Sequence, residues 1–197
     1  MGTESIQSVE QIAAYDHNKL AMILFIISEG TFFVFLIIAY VYFHSVTKTG
    51  PTAANSLDLV KTSIFTVLLL ASSFTMWRAE KSLRQGRPNG FRNWLIVTIV
   101  LGAAFLYDQG KGYFHLYHDN VTMSRNIFGT TFFTLTGFHG FHVLLGLIAL
   151  CVLLGLTLAG DFKTSHSSAV ETVTLYWHFV DWVWVVIFSV IYLWAFL

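Results

Sequence analysis

Charge is what this chain has least of. Only 11% of its 197 residues are Asp, Glu, Lys or Arg, and the formal net charge is zero. A soluble domain carries roughly 25% charged residues, so this one cannot cover a water-facing surface. Cysteine is almost absent too. Cys151 stands alone in an apolar run and excludes an internal disulfide framework. Zero net charge argues against a nucleic acid partner. The N-terminus, M-G-T-E-S-I-Q-S-V-E-Q, lacks the basic opening of a secretory signal, and its Gly2 makes no persuasive myristoylation site. With neither an internal repeat nor a low-complexity segment, a repeat-built transporter is not favoured.

Apolar length takes the place of charge. Hydrophobic residues make up 55% of the chain and mean hydropathy is +0.65. These values predict an all-α integral membrane protein, a bundle of five transmembrane helices. A polar N-terminal arm over residues 1–19 precedes a membrane domain over 20–197. A helix needs ~20 apolar residues to cross a bilayer core. The spans fall at about 20–43, 57–77, 93–107, 127–159 and 169–197. The fourth reaches ~50 Å, so it tilts or projects beyond the bilayer.

The connections orient the bundle. A first loop holds Gly50-Pro51 and Asn55. The second carries Arg78, Lys81, Arg84, Arg87 and Arg92 against the single acid Glu80, and the positive-inside rule makes it cytoplasmic. The N-terminus is then cytoplasmic, the C-terminus outside, and the loop Asp161–His166 inside. The third span is the shortest, its end blurred by Asp108-Gln109-Gly110-Lys111-Gly112. The loop that follows contains His115, His118 and Asp119, a set read as polar surface rather than a metal site.

Within the fourth span Thr136–Val143 reads T-G-F-H-G-F-H-V. Three-residue spacing puts His139 and His142 on one helix face, and Gly137 and Gly140 allow a neighbouring backbone to come close. Ionisable groups in a bilayer are costly and face the bundle interior, paired with one another. The other candidates are Glu29, His178 and Asp181. Counted from their span ends at 1.5 Å per residue, Glu29 lies ~14 Å deep, His139 and His142 ~18–22 Å, and His178 with Asp181 ~13–18 Å. All five can meet near mid-membrane. Glu171, Thr174, His178 and Asp181 form one polar stripe on the fifth span.

Three readings fit this set. The groups form a buried hydrogen-bonded network that specifies helix packing, or they hold a metal or haem between helices. In the third reading, Glu29 is the protonatable carboxylate of a transporter or pump. Aromatic residues are also abundant, with Trp177, Trp182, Trp184 and Trp194 pointing all round the last span. Some of them pack against protein or lipid.

T-G-F-H-G-F-H-V (136–143) and Y-W-H-F-V-D-W-V-W (176–184) resemble the two signature stretches of subunit III of haem–copper oxidases. I-S-E-G-T-F-F (27–33), K-T-S-I-F with L-L-A-S-S (61–73), and Asn126–Phe133 are similar to further parts of that family. The resemblance covers roughly residues 20–197. It implies a non-redox accessory subunit of a proton-pumping oxygen reductase in a bacterial inner membrane. Such a subunit packs on the catalytic subunit I, holds phospholipid in a cleft, and supports proton uptake and turnover stability. No cofactor is expected on this chain, since haem and copper lie in partner subunits.

By the same resemblance Glu29 corresponds to the buried carboxylate of the lipid cleft. His139, His142, Glu171, His178 and Asp181 are structural polar positions. Full-length members have seven helices, and this chain lacks counterparts of the first two. It also lacks the family's basic residues after the penultimate helix, which leaves Arg78, Arg84 and Arg92 as partners for lipid phosphate. A shorter relative found with nitric oxide reductases shares the histidine pattern and is the nearest alternative.

Overall fold

In a computed structural model, residues 2–46, 58–122, 127–160 and 167–193 are described. They form five long helices: α1 (Gly2–Val46), α2 (Leu59–Arg84), α3 (Pro88–His118), α4 (Ile127–Ala159) and α5 (Ser168–Phe188). The last continues into a wider π-type turn, Ser189–Leu193. All five contain a stretch long and apolar enough to cross a membrane. The protein is therefore an all-α, multi-pass membrane protein. The loops around Gly50-Pro51 and Asp161–His166, and Trp194, lie outside the described residues.

Helices α2, α3, α4 and α5 pack in a closed ring, each against the next and α5 back against α2. Helix α1 lies outside that ring, in the groove between α4 and α5. Lipid tails are as apolar as leucine, so packing density rather than expulsion from water must hold such a ring. Trp177 of α5 supplies it. Its indole is fully buried at the ring centre, and its Nε1 donates to Ser72 Oγ of α2 at 3.0 Å. A Cβ added at Gly102 of α3 or Gly146 of α4 would lie 2.7 or 2.8 Å from that indole. Two glycines are thus the recess that admits the tryptophan.

One layer away, Trp184 donates to Thr66 Oγ1 of α2 at 3.0 Å and meets the Phe105 ring of α3 edge-on at 4.8 Å. At the end of the ring near the start of α2, a cavity of about 410 Å³ opens among Lys61, Asp108, Gln109, Tyr113, Thr136 and Tyr192.

The structure moves several sequence boundaries. The polar N-terminal segment is not a separate element, because α1 runs unbroken from Gly2 through the first span. No proline interrupts it. The third span does not end at Tyr107. Asp108–Gly112 continue as helix to His118, although Gly110 and Gly112 each cost about 1 kcal/mol relative to Ala. Partners on other helices hold that turn in place: Asp108 pairs with Lys61 of α2 at 2.8 Å, and Gln109 Nε2 donates to the Thr136 carbonyl of α4 at 2.7 Å.

His115, His118 and the neighbouring Asp119 therefore sit at a helix end rather than in a loop, with His115 Nε2 3.5 Å from Asp119 Oδ2. Most of the basic segment is helical too, and only Gln85–Arg87 separate α2 from α3.

Both of these helix ends use the same cap. Gly86 (φ +68°) and Asn120 (φ +60°) take the left-handed conformation. The next residue's amide then bonds back to the carbonyl five positions earlier, Arg87 to Ser82 and Val121 to Leu116, each at 3.0 Å.

Candidate functional site

The five polar residues expected to meet at one level do not form one cluster: two pair between α1 and α4, two meet α2, and His139 stands apart, while Glu171 belongs to a third arrangement. The first joins α1 to α4. Glu29 Oε2 lies 3.1 Å from His142 Nε2. The other ring nitrogen, His142 Nδ1, lies 2.7 Å from the Phe138 carbonyl one turn earlier. A carbonyl only accepts, so Nδ1 carries a proton and donates it. A hydrogen bond between Nε2 and the carboxyl then requires one shared proton, which makes the pair net neutral whichever atom bears it. The Phe33 ring of α1 meets the His142 ring edge-on at 5.0 Å, and Tyr176 Oη of α5 donates to the His142 carbonyl at 3.1 Å. Three helices thus converge on one residue of α4.

His139, one turn away, does something else. Three residues along a helix is a rotation of roughly 60° short of a full turn, enough to aim it into the ring instead of toward α1. It is fully buried and its ring stacks on Trp184, centroids 4.8 Å apart. Among the described residues, neither of its ring nitrogens has a hydrogen-bond partner. The expected polar network does not extend to it, because aromatic rings from α1, α3 and α5 occupy its surroundings.

The second arrangement joins α5 to α2. Ser73 Oγ donates to Asp181 Oδ2 and lies 3.0 Å from His178 Nδ1. The two α5 residues are bridged by one hydroxyl of α2 rather than bonded to each other. The third lies at the basic end of the ring. Arg84 of α2 binds Glu80 at 2.6 Å and Glu171 of α5 at 3.0 Å. Glu171 therefore belongs with Arg84 and is apart from His178 and Asp181. The Arg84 guanidinium is thus held by two carboxylates, and Arg78 lies over the Trp94 ring at 5.4 Å. Arg92 is half-buried.

Sequence reasoning missed Ser73 on α2, which meets His178 and Asp181, Ser72, which accepts from Trp177, and Gln109 with Tyr113 on α3, which bond to Thr136. Tyr113 Oη donates to Thr136 Oγ1 at 2.8 Å. The Gln109 amide also occupies the space beside Gly140, where a Cβ would lie 2.8 Å from its Oε1. Gly140 thus admits a side chain and not the neighbouring backbone expected there. The serine pair was visible as polar residues inside an apolar span. A serine there often bonds its own helix, as Ser63 does to Leu59 O at 2.7 Å, so its cross-helix role needed the fold.

Among the described residues no three of His, Cys, Asp and Glu converge to hold a metal ion. The histidines on α4 face different neighbours, and His178 points to α2. Glu29, His142, His178 and Asp181 each lie instead against a partner on a neighbouring helix.

Comparison with known proteins agrees with this architecture. The family model described as cytochrome c oxidase subunit III matches residues 2–196. The cytochrome c oxidase subunit 3 of Synechocystis sp. is 34% identical over 180 residues, covering 90% of this chain and 76% of the relative. A Nocardia farcinica protein described as "Probable cytochrome c oxidase subunit 3" is 34% identical over 192 residues, covering 97% and 95%. The Mus musculus cytochrome c oxidase subunit 3 is 36% identical over 185 residues, covering 90% and 69%. With the match running through all five helices, the chain belongs to the cytochrome c oxidase subunit III family.

Proposed function

We propose that this chain is the non-redox accessory subunit III of a proton-pumping haem–copper oxygen reductase. It packs on the catalytic subunit I and sits beside the other oxidase subunits. It holds phospholipid and supports proton uptake and turnover stability in aerobic electron transport. The oxidoreductase chemistry belongs to the complex, with haem and copper in the partner subunits. The carrying observation is the family match over residues 2–196.

The polar groups have structural uses that fit this reading. Glu29–His142 fastens α1 to α4, Ser73 joins Asp181 and His178 to α2, and Arg84 joins α2 to α5. A net-neutral Glu29–His142 pair suits a half-exposed groove between helices, where an uncompensated charge would be costly. The basic end carrying Arg78, Lys81, Arg84, Arg87 and Arg92 faces the cytoplasm of a bacterial inner membrane by the positive-inside rule, and α5 ends outside.

The test is co-purification followed by absorption spectra of the complex and of this chain stripped from it. The expected result is oxidase haem bands in the complex and none in the stripped chain. A haem band that stays with the chain would contradict the reading.

A further inference from the structure

Where α3 meets α4, elimination fixes the direction of each hydrogen bond. Thr136 Oγ1 donates to the Phe132 carbonyl at 2.7 Å, so it accepts from Tyr113 Oη at 2.8 Å. Tyr113 Oη in turn accepts from Gln109 Nε2 at 3.0 Å, and the second Nε2 hydrogen goes to the Thr136 carbonyl at 2.7 Å. Turning the amide over would set Oε1 against that carbonyl, acceptor on acceptor, so its orientation is forced. Gln109 Oε1 is then left buried with no donor among the described residues. It sits beside Gly140, where a Cβ would lie 2.8 Å from it. The residue before Gly140 is His139, fully buried, and both of its ring nitrogens likewise lack a partner among the described residues. An amide acceptor and an imidazole, which when neutral offers one donor and one acceptor, are thus buried at one level of α4.

The cavity of about 410 Å³ at this end of the ring reaches the same place. Gln109, Thr136 and Trp184 line it, and the Trp184 ring is the one stacked on His139. Its lining also carries the Lys61–Asp108 ion pair, Lys111 and His115. At ~30 Å³ per molecule in the liquid, such a space holds about ten waters. Water both donates and accepts, so one molecule can serve an amide oxygen and an imidazole nitrogen together. An apolar guest would satisfy neither group, and an ion would find Lys61 and Asp108 already paired.

We propose that this cavity is a water-filled shaft, closed at its inner end, whose innermost water bridges Gln109 Oε1 to His139. His139 is then wetted from the end of the bundle opposite the basic α2–α3 turn, ~18 Å along α4 from Ile127. Trp184 holds the imidazole by its face and water holds its nitrogens. This hydration goes beyond the functional reading and follows from the packing of α2–α5 alone.

The experiment is hydroxyl-radical footprinting of the protein purified with its partner subunits into nanodiscs. A short X-ray pulse turns bound water into radicals that oxidise the side chains touching it, and mass spectrometry locates the products. Trp177 and Trp184 are both buried on α5, yet of the two only Trp184 lines the cavity, so they form an internal comparison. Trp184, Tyr113 and His139 should be oxidised about fivefold faster than Trp177, because ordered water lies against them and not against Trp177. Gly112→Leu serves as a plug. Gly112 lines the cavity, a Cβ there meets nothing within 4 Å, and leucine favours the helix. The plug should bring all three sites down toward the Trp177 rate.

Rates at Trp184 and His139 no higher than at Trp177 would overturn the proposal. Oxidation of Trp184 without His139 would overturn the reach of the water to His139. Unchanged rates in the assembled Gly112→Leu protein would overturn entry from this end of the bundle. The first two outcomes are read from the wild-type protein, so they stand even if the variant fails to assemble. None of them alters the haem bands of the complex, so the functional reading stands or falls separately.

Discussion

The interior of the α2–α5 ring and the groove that receives α1 solve one problem by different means. In the ring, Trp177 fits between Gly102 and Gly146, and Trp184 lies against Phe105 and His139. The complementarity is mostly one of size, with single hydrogen bonds from the indoles to Ser72 and Thr66. In the groove, α1 is largely exposed, and Glu29 hydrogen-bonds His142 of α4 across it. Close packing joins α2–α5, whereas among the described residues α1 meets α4 through the Glu29–His142 seam and the rings of Phe32 and Phe33 beside it. His139 and His142 show the divide within one turn of α4, one stacked among rings and the other paired with a carboxyl.

The comparison can be broken most severely in the ring. Trp177→Ala should cost about 3–5 kcal/mol, the range for emptying a buried tryptophan site, and should lower the thermal midpoint of the whole chain in detergent. Filling the recess should act in the same direction. Gly146→Val forces the indole aside and should cost about 1–3 kcal/mol, read from the same melting curve.

The groove should respond locally. Glu29→Ala leaves His142 Nε2 without its partner, at a cost of about 1–3 kcal/mol. Hydrogen exchange should rise along α1 and stay unchanged along α2–α5. Ser73→Ala should cost about 1 kcal/mol and loosen α2 against α5, leaving exchange along α1 as in the wild type. The smallest effect belongs to Arg92→Gln, expected within about 0.5 kcal/mol, since Arg92 makes no ion pair among the described residues.

Much of this was legible in the sequence, for definite physical reasons. Five apolar runs announce five spans, because a bilayer demands length and hydropathy before anything else. The end of α3 was not legible. Asp108, Gly110, Lys111 and Gly112 break the apolar pattern, and what keeps them helical lies on other helices, Lys61 on α2 and Thr136 on α4. The contact between Glu29 and His142 could be anticipated from depth alone, since a buried carboxyl needs a donor and α4 offered one at that level. The parting of His139 from that pair could not. Spacing tells that two residues share a side of a helix, and only the neighbouring helices decide which gap each enters. Glu171 was grouped with His178 and Asp181 by periodicity, but its partner is Arg84, more than eighty positions earlier in the chain.

The central proposal is that the membrane-buried polar groups fasten helices, with the redox centres in partner subunits. It is tested most directly by the haem spectrum of the purified complex carrying Glu29→Ala, recorded before and throughout sustained turnover. The account predicts wild-type haem bands and initial rate, followed by an earlier loss of activity as α1 loosens. A haem band missing from the spectrum before turnover begins would contradict it.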